Sequence, residues 1–178
     1  MKIPRFRKPN LWKGMAAGAI GGLAGAYSMT LFQSGWSKLS EKLKHGNSNQ
    51  QQQSHDQGDS EDATMKMAGT ISELLGHPLT KEQRKTAGPV VHYVFGAAVG
   101  ALYGAAAEYL PSARVGGGVP FGALVFVTAD ETAVPALKLS KPPTEYPVPT
   151  HIYSLASHAV YGLSTELARR GTRRLLGH

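Results

Sequence analysis

Residues 14–36 read GMAAGAIGGLAGAYSMTLFQSGW and contain no Lys, Arg, Asp or Glu. A helix needs about 20 predominantly apolar residues to cross the hydrocarbon core of a bilayer. This stretch has that length and follows a basic segment, residues 1–13. The pattern predicts a transmembrane helix. Because the apolar run continues through Met29 and Phe32, it favours an uncleaved anchor over a cleaved signal peptide.

Three further apolar segments follow downstream. Residues 87–107, AGPVVHYVFGAAVGALYGAAA, carry no formal charge and predict a second span. A third span is predicted over residues 116–137. It contains Asp130 and Glu131, so it can cross a membrane only if this acidic pair faces the interior of a helix bundle. Residues 148–167 predict a fourth span, which an arginine-rich tail follows.

These segments predict an all-α fold, a membrane four-helix bundle, in three parts. Residues 1–37 form a basic tail and the first transmembrane helix, residues 38–86 a polar loop, and residues 87–178 three further transmembrane helices with a basic tail. Within the loop, residues 47–62 contain no apolar side chain and are expected to be disordered. Helical periodicity returns over residues 62–76 and predicts a short amphipathic helix that lies on the membrane or caps the bundle.

Glycines recur at helical spacing in the first two spans. Gly18 and Gly22 are four residues apart, and so are Gly96, Gly100 and Gly104. That spacing places them on one face of each helix, where another helix backbone can approach closely. We therefore expect these glycines to form helix-packing surfaces.

Composition limits the chemistry and the partners. The 178 residues include no cysteine, so disulfides, thiolate catalysis and cysteine-bound metals are excluded. The net charge of +7 suits an anionic lipid surface, and no basic patch interleaved with aromatic residues suggests nucleic acid. The expected partner is the lipid bilayer, with a homo-oligomer or a membrane complex as a further expectation. Hydrolase and phosphate-binding motifs are missing, so we expect no enzyme activity.

Ionisable side chains inside the spans are the candidate functional groups, because such groups usually face a partner or a cavity. Asp130 with His158 predicts a proton-relay pair or a structural polar pair. His92, Asp130, Glu131 and His158 together also offer nitrogen and oxygen ligands for a metal ion. The sequence identifies no cofactor.

Three other ionisable groups lie near the ends of the predicted spans. Glu108 and Glu166 are expected to be anchors at the membrane surface, with Glu166 pairing to Arg169 or Arg170. His151 begins the fourth span and is expected to face water.

Several of these residues together resemble the YagU-like family, a group of small bacterial inner-membrane proteins of unknown function. The resemblance covers residues 88–170 and depends on the order and spacing of single residues. It implies a polytopic inner-membrane protein, and the link of a family member to acid resistance implies a pH-related role. The chain departs from the pattern at Asp130, where a histidine is expected, and at Ser154, where a glutamate is expected. The residues that carry the resemblance are His92, Gly100, Tyr103, Glu108, Pro111, Gly122, Pro135, Pro142, Pro143, Pro147, His158, Glu166, Arg169 and Arg170.

Residues and resemblance together predict a non-enzymatic protein of the bacterial inner membrane, related to pH or acid stress or acting as an accessory subunit. Both termini are basic, and an even number of spans places them on one side, which the distribution of Lys and Arg predicts to be the cytoplasm. The alternative is a metal- or proton-coupled carrier, or a metal-binding membrane protein, that uses His92, Asp130 and His158.

Overall fold

The computed structural model describes residues 9–45 and 62–177. Most of the predicted basic tail and nearly all of the predicted disordered loop lie outside the described residues. Every regular element in the described ranges is helical, as the sequence predicts.

The helices follow the predicted order. They are α1 (Leu11–His45), α2 (Ala63–Leu74), α3 (Lys81–Tyr109), α4 (Val119–Val125), α5 (Val134–Ala136) and α6 (Val148–Leu175). A π-helical segment, Phe126–Ala133, joins α4 to α5 without a break, and we call the whole of this element the 119–136 helix. Short 3₁₀ segments, Pro111–Gly118 and Pro143–Glu145, precede the 119–136 helix and α6.

Local sequence signals set where α3 and the 119–136 helix begin. The backbone N–H of Gln83 donates to Thr80 Oγ1 at 3.3 Å, and the Thr80 N–H donates to Gln83 Oε1 at 2.8 Å. This capping box satisfies two N–H groups that the first turn leaves unpaired. Before the 119–136 helix, Gly116, Gly117 and Gly118 have φ angles of 73°, 65° and 92°. Glycine adopts this left-handed region without the steric cost that a side chain brings.

Three helices in the described ranges are long and apolar enough to cross a membrane, which indicates a membrane protein. They are Leu11–Lys42, Lys81–Tyr109 and Pro111–Ala136, with mean hydropathies of 1.3, 1.5 and 1.2. They coincide with the first three predicted spans. Helix α6 covers the fourth predicted span but is less apolar, because it contains many polar residues. Some of them, such as Ser157 and Thr165, are buried.

Glycines bring α1 and α3 into direct backbone contact. Gly18 faces Gly100, and Gly22 faces Gly96, so the two helices run antiparallel. A Cβ atom added to Gly18 would collide with the carbonyl oxygen of Gly100 and would lie 2.8 Å from the Cα atom of Gly104. All five glycines predicted to pack helices lie in this contact.

Helix α6 packs against α1 and the 119–136 helix in the same way. A Cβ atom on Gly25 would lie 2.7 Å from the carbonyl oxygen of Tyr161, and one on Gly21 would lie 2.6 Å from that of Thr165. On the other side of α6, Gly122 meets the carbonyl of His158. Both contacts are antiparallel, so α6 runs alongside the two apolar helices over much of their length.

Helix α2 covers one end of this assembly by packing on the start of α3. Gly88 of α3 faces Met65 of α2, and a Cβ atom there would lie 2.9 Å from the Met65 side chain. Arg84 Nη2 lies 2.9 Å from Glu73 Oε1, which adds an ion pair between the same two helices.

The α1–α3 contact predicts opposite effects for two alanine substitutions in one helix. Gly18→Ala places a methyl group against backbone atoms and should destabilise the protein by about 1–3 kcal/mol. Gly35→Ala, also in α1, has no described atom within 4 Å of the new Cβ, and should stabilise it by about 0.5–1 kcal/mol through helix propensity. Thermal unfolding of the purified variants in detergent measures both. Equal effects would contradict the close contact.

Candidate polar site in a central cavity

A cavity of about 400 Å³ lies under α2, between α1, α3, the 119–136 helix and α6. Most of the wall is apolar, with side chains such as Met29, Phe95 and Leu139. The ionisable side chains of its wall are His92, Asp130, His158 and Tyr161, so three of the four predicted site residues line one space.

Asp130 and His158 face each other within this cavity. His158 Nε2 lies 3.7 Å from Asp130 Oδ2, which is close enough for an ion pair but too far for a good hydrogen bond. The His158 side chain is buried, and its ring lies against Phe126 with 5.6 Å between ring centroids. The sequence therefore identified a pair of residues that the fold brings together.

The hydrogen bond on the other ring nitrogen determines what His158 can do. Its Nδ1 lies 2.8 Å from the carbonyl oxygen of Ser154. A carbonyl oxygen only accepts, so Nδ1 carries the hydrogen and donates. In the neutral ring, Nε2 then has a lone pair facing Asp130. Only a protonated ring can donate to Asp130 as well.

A side chain of α6 and the π-helical backbone that carries Asp130 together position its carboxylate. Ser154 Oγ donates to Asp130 Oδ2 at 3.0 Å, so the two residues at which the chain departs from the YagU-like pattern contact each other. The π-helical segment carries Asp130, and the Val134 N–H donates to Ala129 O in the i→i−5 pattern. Pro135 has no N–H for the carbonyl of the fourth residue before it, and its ring crowds that carbonyl. The π-helical segment is not predicted from the sequence, although Pro135 is the local signal for it.

Asp130 also lines a second, smaller cavity of about 190 Å³ nearer the end of the helices. There, His151 Nδ1 lies 2.8 Å from Glu131 Oε1, and His151 Nε2 lies 3.1 Å from the carbonyl of Pro143. Both ring nitrogens face acceptors, which is the pattern of a protonated imidazole. The expectation that His151 simply faces water was therefore incomplete, because sequence spacing does not show a partner on another helix.

The predicted metal ligands do not assemble into a metal site. Glu131 turns to His151 and lines the second cavity rather than the first. Across residues 9–45 and 62–177, no three His, Asp or Glu side chains are placed to hold a metal ion. His92 Nε2 is buried and has no hydrogen-bond partner in those same ranges.

At the opposite end of the helices, Glu166 forms a buried charge network. Its side chain is 0% exposed. It accepts from Arg169 at 2.6 and 2.9 Å, from Arg170 at 2.6 Å and from the Tyr103 hydroxyl at 2.9 Å. The predicted pairing with arginine is present, and the packed helices also enclose this carboxylate.

Beside this network, a second carboxylate forms hydrogen bonds that connect the ends of α1, α3 and α6. Glu108 accepts from Arg173 at 2.6 and 3.0 Å and from the backbone N–H of Asn10 at 3.0 Å. The sequence does not identify Arg173 as the partner of Glu108, because only the fold brings positions 65 residues apart into contact.

The polar residues of the cavities and the two carboxylates Glu108 and Glu166 occur in a stretch that matches a known family, whereas their arginine partners follow it. The matching stretch is residues 78–167, about half of the chain. The chain belongs to DUF1440, a family of proteins of unknown function. YagU is a member of DUF1440, so the resemblance read from the sequence is confirmed. The DUF1440 stretch contains α3, the 119–136 helix and α6 as far as Leu167. No curated protein and no solved structure matches the chain.

The buried network predicts a large cost for removing its carboxylate. Glu166→Gln leaves the Arg169 guanidinium buried without its counter-charge, so stability should fall by about 3–5 kcal/mol. The control is Glu73→Gln, which removes the exposed pair with Arg84 and should cost about 0–1 kcal/mol. Unfolding of the detergent-purified variants by a denaturing detergent compares the two, and similar losses would argue against a structural role for the Glu166 network.

Proposed function

We propose that this chain is a non-enzymatic, multi-pass protein of the bacterial inner membrane in which His158 and Asp130 form a pH-responsive pair. The observation that carries the proposal is the Nδ1–H bond of His158 to Ser154, because it leaves Nε2 facing a carboxylate at 3.7 Å. Histidine is the side chain whose charge ordinarily changes between pH 5 and 8.

Protonation would change the contact between two helices. A proton on Nε2 converts a lone pair facing Asp130 into a donor, and the contact becomes an ion pair with a charge-assisted hydrogen bond. Because His158 belongs to α6 and Asp130 to the π-helical segment, acid would draw these elements together. The irregular backbone at Asp130 suits such a role, since π-helical turns occur frequently at functional sites.

Packing supports α6 as a fourth transmembrane helix despite its low hydropathy. It lies antiparallel to α1 through Gly21 and Gly25, and to the 119–136 helix through Gly122. A helix packed along two spanning helices lies at their depth. Its polar side chains can be tolerated there because they face partners inside the protein. Four spans place both termini on one side, in this proposal the cytoplasm, and α2 on the other.

A proton-coupled carrier is the second candidate, and one observation favours it. Asp130 lines both the central cavity and the smaller cavity near the helix ends, so it connects the two spaces. A metal-coupled carrier has less support, because the described residues form no ligand set. Assembly into a homo-oligomer or with a larger membrane complex remains part of the proposal, without a specific contact surface assigned.

The four-span arrangement predicts the location of fused reporters. A fluorescent protein fused to the C-terminus should be bright, and alkaline phosphatase inserted within residues 46–61 should be active, because the two sites lie on opposite sides of the membrane. A three-span protein gives an active phosphatase at the C-terminus instead. Release of the chain from membranes by carbonate would contradict the membrane assignment itself.

The pH-responsive pair predicts a specific loss in an acid challenge. In a host that lacks its own copy of the gene, His158→Phe and Asp130→Asn should lower survival at acidic pH relative to the wild-type chain, because neither variant can form the acid-induced ion pair. His151→Gln is the matched control, since it removes a histidine from the same helix outside the central cavity, and should survive as wild type does. Membrane levels of each variant are compared by immunoblot.

Two results would contradict this role. Survival of both cavity variants at the wild-type level removes the pH function, and an equal loss in the His151→Gln control assigns the effect to general damage.

A further inference from the structure

The central cavity has the size and walls of a small-molecule site. Ligand pockets have volumes of about 300–1,000 Å³ and mostly apolar walls with a few polar groups. This cavity measures about 400 Å³, and Met29, Met67 and Phe95 line it from three different helices. The wall also contains Tyr161 and Gly96, and the Tyr161 hydroxyl donates to Gly96 O at 2.7 Å.

A polar atom in this wall lacks a partner. Buried polar side-chain atoms are nearly always hydrogen-bonded, because an unmet bond costs free energy. His92 Nε2 is buried and bonds to no group of the part of the chain that the structure describes. Other atoms of the His92 side chain line the cavity, so this imidazole is one of the few polar groups of the wall.

The wall carries one carboxylate and no strongly basic side chain among the described residues. Within that part of the chain, Asp130 is the only acidic side chain that lines the cavity, and no Lys or Arg lines it. Ser154 and His158 both approach Oδ2 of Asp130, whereas no described group bonds to Oδ1. The Asp130 side chain is also 39% exposed, so a ligand can reach it.

We infer that the cavity binds a lipophilic amine. The apolar body fills the space under α2, and the ammonium group pairs with Asp130. An anionic ligand is excluded by repulsion from Asp130, and a purely apolar occupant leaves this carboxylate without a counter-charge. The inference deepens the proposed function, because it assigns a ligand class to the site that contains the Asp130–His158 pair.

Three adamantane derivatives, which share one apolar body and differ in the charge of the head group, test which charge the cavity binds. They are 1-adamantylamine, 1-adamantanol and 1-adamantanecarboxylate, which are cationic, neutral and anionic at pH 7. Binding to the full chain in lipid bilayer discs is measured by calorimetry, with protein-free discs as the blank. The amine should bind saturably, the alcohol more weakly, and the carboxylate should give no signal above the blank.

Variants locate the binding site. Asp130→Asn should weaken amine binding by about tenfold or more, because it removes the counter-charge. Ala129→Phe should abolish binding by filling the cavity that Ala129 lines. Glu131→Gln is the matched control, since it removes the same charge one residue away and outside this cavity, and it should bind as wild type does.

The outcomes separate this inference from the proposed function. No amine binding, equal binding of all three compounds, or unchanged amine affinity in Asp130→Asn overturns the amine site, whatever the acid challenge shows. Amine binding that depends on Asp130, together with wild-type acid survival of His158→Phe and Asp130→Asn, keeps the amine site and removes the pH role.

Discussion

The direct backbone contact of α1 with its neighbours supports the rest of the structure. One face of α1 presents Gly18 and Gly22 to α3, and a second face presents Gly21 and Gly25 to α6. In a lipid environment, apolar side chains gain little by leaving the solvent, so helices associate through close packing and interhelical hydrogen bonds. Because α1 packs against both α3 and α6, its contacts determine how far the polar side chains of α3 lie from those of α6.

The two ends of the helix assembly differ in their chemistry. At the end where α1 begins, Glu166 and Glu108 are saturated by arginines and bury their charges in a closed network. At the other end, a cavity lies between the helices, and α2 covers it. The cavity and its polar residues Asp130 and His158 therefore lie at the end of the helices away from the closed charge network.

The chemistry of the polar site depends on which atoms donate and which accept each hydrogen bond. His158 donates from Nδ1 to Ser154, which assigns the proton-accepting role to Nε2, and Ser154 also donates to Asp130. One residue of α6 thus orients both members of the pair. The same Asp130 lines the cavity, so one carboxylate belongs to both the proposed pH-responsive pair and the inferred amine site.

The helical class, three of the apolar spans and the glycines that pack α1 against α3 could be predicted from the amino-acid sequence, and so could the proximity of Asp130 and His158. Charge-free length and four-residue spacing are properties of local sequence, so they can be recognised without a fold. Three features required the fold: the enclosure of Glu166, the pairing of Glu108 with Arg173, and the contact of Glu131 with His151 in place of a metal site. These outcomes depend on which helix faces are brought together, and that is set by how closely the backbones of distant segments can approach.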